Sequence, residues 1–543
     1  MSETRGGGYG GKGRGSKEAL LAGLRAALAP NSGAKVIEIM NDLDLGWNEI
    51  PSEARAAPFA KHNDPLLHPV LLQTGVTKIT VDNAHGLTIF SKNGSAIRHA
   101  SLVFRFSSNI IIRNLTFDEL WEWDEATLGD YDRNDWDYIS LENGTRKVWI
   151  DHCTFGKAYD GVVDAKGGSG GITISWSTFL GDDASPGSWV SRQIEALDRL
   201  PAKYPKYGHL LQSGLTKEDI IAIVAGQKKG HLIGASEFAS DNGDLELTLH
   251  HNYYKDMMDR IPRLRAGNAH VYNIVVDNSD SRTASKRITD EMAAAIAEAG
   301  FHFGVTSNGA ISTEDGALLM ENSVMTDVVF PLRNNQKDAA LSAYTGKIKA
   351  VNVHYSMDEL SYTGDSDTEG SPLAPVPAPA AAFSWNTPDG ELPYLYAPDA
   401  LDGLEDTLIA YAGAGKLYWD SGNWLRTSGY IGEAPYGTEP GFAPTIVSGL
   451  QASPEDGAVS LRWGKVAAAD SYTVYRSDAA DGTYEAVAHH VAHNNYVDDG
   501  LPNGTTYYYR VSASNANGEG PRSPAVAAAP LALAAPAAPG GLT

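Results

Sequence analysis

One short pattern recurs along the middle of the chain: an apolar run closes on a polar pair, one further residue and a bulky side chain. It reads NIIIRNLTF, KVWIDHCTF, GITISWSTF, LELTLHHNYY, AHVYNIVV and ALLMENSVM. With Phe155, Phe179, Tyr254, Val276 and Met325 as equivalent positions, the separations are 24, 75, 22 and 49 residues, close to one, three, one and two multiples of about 24. A fixed period of that size marks a solenoid, in which each turn buries its apolar face only by stacking on the next. Tight hairpin signals do not separate the repeats, which favours a parallel β-helix over a sandwich or propeller. The 38 residues from Phe117 to Phe155 fit the period less well and predict an inserted loop carrying WEWDEATLGDYDRNDWD. In such a stack, outward side chains of successive turns stand side by side. Residues distant in sequence can then form one groove.

The flanks read differently. Residues 1–15 are glycine-rich and are expected to be flexible, and a helix with Leu20, Leu21, Leu24 and Leu28 on neighbouring positions runs from Ser16 until Pro30 stops it. Short strands follow, such as AKVIEIM, TKITVD, LTIFS and SLVFRFS. The excursion from Asp182 to Lys229 carries LTKEDIIAIVAG, a helical spacing with Thr216 as cap, expected to pack over the solenoid. A Pro/Ala-rich arm over about 371–440 is expected either to lie extended against the body or to act as a loose linker, and the solenoid domain is assigned to 16–440. Residues 441–527 show short alternating strands with regular turns, a β-sandwich pattern, and 528–543 form an Ala/Pro-rich linker tail.

Charge bounds the partners. The 543 residues carry a formal net charge of −24, so the chain as a whole repels polyanions and no nucleic acid partner is expected. A polyanionic substrate must instead be gripped by a local cationic cluster or through a bridging metal. The lone cysteine, Cys153, lies in the apolar-flanked run WIDHCTF and reads as a buried thiol rather than a reactive one. No apolar run reaches transmembrane length, and MSETRGGGYGGKGRG has no apolar signal-peptide core, so no membrane partner is expected. If the protein is exported, its signal is absent from this chain.

The chemistry concentrates between Asp135 and Arg265. Asp160 and Asp164 lie four apart, and Asp135 and Asp137 two apart across Trp136, spacings that place each pair on a common face. Four converging carboxylates would repel one another without a hard cation among them, and an oxygen-only set favours calcium over zinc. A solvated acidic surface is the competing reading at equal weight. RIPRLR brings Arg260, Arg263 and Arg265 within six residues, with Lys228 and Lys229 about one turn earlier. Such a cluster could clamp substrate carboxylates, although an arginine-rich hexamer taken alone is more often a surface patch or salt-bridge donor. His152, His250 and His251 sit beside aromatics inside strand repeats and read as structural, not as zinc ligands.

Through NDWDYI, VWIDHCTF, YDGVVDAKGGSGGITISWSTF, KGHLIGAS, LTLHHNYY and RIPRLRAGNAHVYN, residues 16 to about 430 resemble the pectate lyases of polysaccharide lyase family 1. The resemblance implies a right-handed parallel β-helix that cleaves de-esterified polygalacturonate by calcium-dependent β-elimination. It places calcium carboxylates on Asp137, Asp160 and Asp164, with Asp135 matching a ligand that some members have. It places the proton abstractor on Arg260 and substrate contacts on Lys229, Arg265 and, matching only some members, Lys166. The 441–527 region, with Trp463, Tyr472 and LPNGTTYYYRVSASNANG, resembles a fibronectin type III module, in which Tyr507 would be the corner tyrosine. Fold class is therefore expected to be all-β, a solenoid with a C-terminal sandwich.

Strict alternation would put Arg260 and Arg265 on opposite strand faces, so a turn is expected between them, with Pro262 its agent. Arginine is also an unusual base. Each unit positive charge about 4 Å away costs the protonated form roughly 4 kcal/mol at an effective dielectric near 20, about 3 pKa units. Calcium with Lys229 or Arg265 would then bring Arg260 to roughly 8–10 and give an alkaline optimum. The rival readings are a pectin lyase acting on methyl-esterified chains without calcium, and a non-catalytic glycan-binding adhesin. The chain is expected to act as a secreted monomer, with the fibronectin-like module a spacer more often than a binder.

Overall fold

The computed structural model describes the chain except residues 1–16, 30–31, 47–67, 69, 71–73, 126–135, 181, 336–339, 341, 389, 393, 395, 397, 420–424, 427–443, 445, 448, 465, 467–468, 481, 516–517 and 533–543. The glycine-rich N-terminal tract, most of the predicted loop insertion, Asp135 and most of the C-terminal tail therefore lie outside the described residues. Two compact units divide near Lys416.

The first unit is a parallel β-helix of three sheets with nine, ten and eight strands. Each strand pairs with its counterpart in the next turn, as in Thr154↔Thr178 and Phe155↔Phe179, so the period of 24 in the sequence is the register of the stack. The bulky repeat positions form one continuous interior column, Phe117↔Phe155↔Phe179↔Tyr254↔Val276↔Met325. Its rings lie face to face: Phe117 on Phe155 at 5.1 Å, Phe155 on Phe179 at 5.1 Å and Phe179 on Tyr254 at 4.5 Å, all within 8° of parallel. The column buries its apolar area by stacking turn on turn and by packing on Tyr138 and His231, which lead into strands of the third sheet.

The polar pair of the motif is the turn between the first sheet and the second. Its second residue has left-handed backbone in every repeat: Asn114, His152, Trp176, His251, Asn273 and Asn322, with φ from 42° to 54°. Asn tolerates this region best, which accounts for its recurrence there. Cys153 is buried directly after one such turn, and burial first of all pushes its thiol up to about 12.

Helices cover the solenoid. Lys17–Leu28 buries Leu24 and Leu28 in the main core. Lys217–Ala225 begins as expected at Thr216, whose Oγ1 accepts from Asp219 N at 3.1 Å while Asp219 Oδ2 accepts from Thr216 N at 3.0 Å. Trp189–Asp198 and Pro205–Gln212 in the same excursion, and Ser279–Ser285 and Asp290–Glu298 later, were not apparent from the sequence. Of the arm after Ser371, the described residues as far as Asp399 are bonded to the body, while 427–440 lie outside the described residues. Asn386 N donates to Asn268 Oδ1, Asp399 N donates to Asn273 Oδ1, and Tyr394 Oη lies 2.9 Å from His270 Nδ1.

Besides the short antiparallel pair Tyr418–Trp419 and Leu425–Arg426, the second unit has two larger antiparallel sheets. Gln451–Glu455, Ala458–Arg462 and Asn495–Asp498 form one; Ser471–Ser477, Glu485–Val491, Tyr507–Asn515, Gly518–Glu519 and Val526–Ala528 form the other. Trp463, Tyr472 and Tyr509 belong to a core of their own. In this unit's Tyr507–Asn515 strand Tyr507 and Tyr509 are both buried; Tyr509 Oη donates to Asp498 Oδ2 at 2.9 Å, and the Arg476 guanidinium lies over the Tyr507 ring. Among the described residues no helix is long and apolar enough to cross a membrane.

Candidate active site

The third sheet builds the site. Its strands run in the order Thr77–Asp82, Ala100–Arg105, Ile139–Glu142, Val163–Ala165, Leu232–Ile233, Arg263–Arg265, Asn308–Thr313 and Phe330–Arg333. Alternation decides what faces out. Val163 and Ala165 are in the interior core, which turns Asp164 outward between them, and buried Leu264 does the same for Arg263 and Arg265. Asp137 and Asp160 lie on the segments entering the strands of Ile139 and Val163, so two stacked turns deliver the three aspartates to one edge.

Oxygen atoms of Asp137, Asp160 and Asp164 lie within 4.8 Å of one another. Each carboxylate is held. Asp137 accepts from Gly161 N at 2.9 Å and from Ser140 Oγ at 3.0 Å, and Asp164 Oδ1 accepts from Leu232 N at 2.9 Å. Gly161 has no space for a side chain, since a Cβ there would stand 2.1 Å from Asp164 Oδ1. Lys229 Nζ donates to Asp160 Oδ1 at 2.8 Å, and Arg260 Nη1 lies 3.1 Å from that oxygen and 3.7 Å from Asp164 Oδ2. Burial pushes the Asp160 carboxyl up, but Arg260 and Lys229 outweigh it and hold it at about 2.

Oxygens that share one calcium ion at about 2.4 Å lie within about 5 Å of each other, and such sites use carboxylates without imidazole or thiolate. The three aspartates meet both conditions. Two side-chain cations already sit on the cluster, which confirms its pull on positive charge. His250 and His251 belong elsewhere: their Nδ1 atoms lie 3.0 Å apart at the end of a first-sheet strand, and burial pushes His250 down to about 3.

Arg260 is nearly buried, yet its Nε and Nη1 hydrogens meet no acceptor in hydrogen-bond geometry. Charge, not hydrogen bonding, positions it. The expected titration near 8–10 is that of a site holding calcium; the protein's own side chains act in the opposite direction. Burial pulls the guanidinium down, but Asp160, Asp164, Asp259 and Asp137 together outweigh burial and raise it above the ordinary arginine value. Arg263 is pushed down to about 10 by burial and by Arg265 and Arg260, and Arg265 is lowered by burial, partly offset by Glu237 and Glu314.

The turn expected between Arg260 and Arg265 is present. Arg260 itself adopts φ 67°, the Ile261–Pro262 peptide is cis, and the strand starts at Arg263. Arg265 donates from Nη1 to Gly234 O, and a Cβ at Gly234 would meet Arg265 Cβ at 2.8 Å. Lys166 Nζ lies 3.3 Å from Glu142 Oε1, and its charge helps to hold the Asp160 carboxyl down. Lys228 is buried and donates to Leu180 O, a structural contact. The supports Ser140, Gly161 and the Leu232 amide escaped sequence reading; only the Ser three residues after Asp137 hinted at one of them.

Comparison with known proteins agrees with this geometry. The family model for pectate lyase matches residues 70–185 and 221–417. Pectate lyase B of Paenibacillus amylolyticus is 65% identical over 310 residues, which is 57% of this chain and 79% of that protein. A pectate trisaccharide-lyase of Thermotoga maritima is 34% identical over 186 residues, covering 34% of this chain and 38% of that protein. A solved pectate lyase, pelN of Paenibacillus sp. 0602, superposes with a TM-score of 0.70 at 61% identity over 73% of this chain and 90% of its own. With three parallel sheets, an acidic cluster under a basic edge and these relatives, the chain belongs to the pectate lyase family of polysaccharide lyases.

Proposed function

We propose that the chain cleaves de-esterified α-1,4-polygalacturonate by calcium-dependent β-elimination, giving 4,5-unsaturated oligogalacturonides. The observation that carries this reading is the approach of Arg260 Nη1 to Asp160 and Asp164 within a triad whose oxygens lie within 4.8 Å of one another. Asp137, Asp160 and Asp164 would hold the calcium, with Asp135 as a fourth candidate. Bound there, calcium would neutralise a substrate carboxylate and offset the aspartate charge that keeps Arg260 protonated.

Lys229 and Arg265 then hold uronate carboxylates, Arg265 through its planar fork. Arg260 in its neutral form takes the carbon 5 proton, which is acidic because it lies α to the carboxylate. The C5–H electron pair becomes the C4–C5 double bond, and the C4–O bond breaks with its pair leaving on the glycosidic oxygen, which is protonated from solvent. No water is consumed. Lys166, two residues past Asp164 and paired with Glu142, supports an outlying substrate contact.

The carboxylate triad favours this reading over a pectin lyase, and family membership sets aside a non-catalytic adhesin. A cell-wall polymer too large to enter a cell supports action outside it, and a site built wholly from one chain supports a monomer. We assign residues 16–440 to the lyase and 441–527 to a fibronectin type III-like module, supported by the latter's two antiparallel sheets. The test is incubation with polygalacturonate and with highly methylated pectin, each with calcium or chelator, followed in the ultraviolet. Calcium-dependent unsaturated product from the de-esterified polymer supports the reading. Faster, chelator-resistant cleavage of methylated pectin would replace it with the pectin lyase alternative.

A further inference from the structure

The groove does not end at Arg265. Asn308 N donates to Met258 O at 2.8 Å and Ile261 N donates to Gly309 O at 3.0 Å, so the backbone on either side of Arg260 is bonded to the Asn308 strand. Asn308 in turn pairs with Phe330. Adjacent strands lie about 4.8 Å apart, which puts Phe330 on the same edge as Arg260 and roughly 10 Å along it. On the outward face the rows also continue, Arg263↔Ile311↔Arg333.

At that place lies a cavity of about 220 Å³ lined by Phe330, Arg333, Asn308, Ser307, Arg282 and Ser285, with the helix Ser279–Ser285 as its wall. Arg282 is committed to Asp358 at 3.1 Å. Among the described residues Arg333 has no carboxylate partner. Among the described residues its guanidinium has a neutral partner, Asn308 Oδ1 at 3.1 Å, and lies 5.2 Å over the Phe330 ring, while its Nε is buried with no acceptor. Phe330 is 43% exposed, a large apolar face left in water. A fixed cation with an open donor, an aromatic face and a cavity together suit a charged sugar, with the ring stacking and the fork taking the carboxylate.

We propose that Arg333 and Phe330 form a distal uronate-binding subsite, two strands beyond Arg260, that grips the same polymer as the catalytic edge and so favours long substrates. The proposal rests on the polygalacturonate reading of the groove, and the two fail in different assays: the reaction by absence of unsaturated product, the subsite by binding.

Calorimetric binding of hexagalacturonate and trigalacturonate is measured with chelator present, so that nothing turns over, for the unaltered protein, Arg333→Gln and Arg333→Lys. Arg333→Gln retains a donor for Asn308 and removes the charge. The expected result is hexamer binding about tenfold weaker in Arg333→Gln, trimer binding changed by less than about twofold, and most of the hexamer affinity restored by Arg333→Lys. Equal effects on both oligomers, no effect on the hexamer, or no rescue by lysine would overturn the subsite. Should Arg333→Gln fail to fold, Phe330→Leu gives the same decision, with selective weakening of the hexamer expected and unchanged hexamer binding contradicting it.

Discussion

Arg260 Nη1 stands 3.1 Å from Asp160 Oδ1, the same oxygen that accepts from Lys229 Nζ at 2.8 Å. One carboxylate oxygen thus ties two cations from two different turns of the solenoid. Arg260 Nε and Nη1 meet no hydrogen-bond acceptor, so the aspartate charge dominates its setting, and its protonation depends on how much of that charge is offset by other ligands.

Asp164→Asn keeps an oxygen for the Leu232 amide and removes one of the triad's charges. Calcium affinity should fall by at least about tenfold, since affinity at such sites follows ligand charge count. Calorimetric titration with calcium checks this, alongside a thermal melt to show the fold is kept.

Gly161→Ala should displace Asp164, because the added Cβ would lie 2.1 Å from its Oδ1. The Gly161 amide also holds Asp137, so two ligands move together. Turnover on polygalacturonate should drop by about a hundredfold, consistent with the sensitivity of reactions to misplacement of about 1 Å. Near-normal turnover would mean that the triad tolerates movement.

Acid stability should depend on Asp151, which lies between Asp137 and Asp160 in sequence but ends a strand of the first sheet, Arg146–Asp151. Burial pushes its carboxyl up, but His152, Arg113 and Ser175 outweigh it and hold it at about 2, against an ordinary 3.8. A depressed folded pKa gives stability that is full above about 4 and is lost as pH falls towards 2. The size is about 2 kcal/mol. Asp151→Asn should destabilise the protein near neutral pH by leaving Arg113 buried without its 2.7 Å partner, and its deficit should shrink between pH 4 and 2. Denaturant midpoints across that range measure it.

Thr216→Ala removes one half of a reciprocal cap and should cost about 1 kcal/mol. A fall of a few degrees in Tm is the expected readout. No change would mean that Asp219 and Arg287 hold the helix end without it.

The solenoid was legible because the repeat is its own register: Phe155 and Phe179 are 24 apart and stack directly. The acidic triad and Lys229, Arg260 and Arg265 were legible through motif order, which fixes position on the stack. The state of Arg260 was not legible, because Asp137 and Asp160 reach it from turns about a hundred residues earlier. The helices Trp189–Asp198 and Pro205–Gln212 were missed because they are short and separated by the Pro201 and Pro205 breaks, their apolar faces being defined only by the body they cover. Phe330 and Arg333 carried no signal in sequence; only strand pairing places them beside Arg260.

The most direct test is the rate of unsaturated product from polygalacturonate at saturating calcium, measured for the unaltered protein and for Arg260→Ala, with substrate affinity and Tm alongside. A base removed from its substrate proton is expected to lower kcat by about a thousandfold while affinity and Tm stay near their original values. Product formed by Arg260→Ala at close to the original rate would contradict the assignment of proton removal to this arginine.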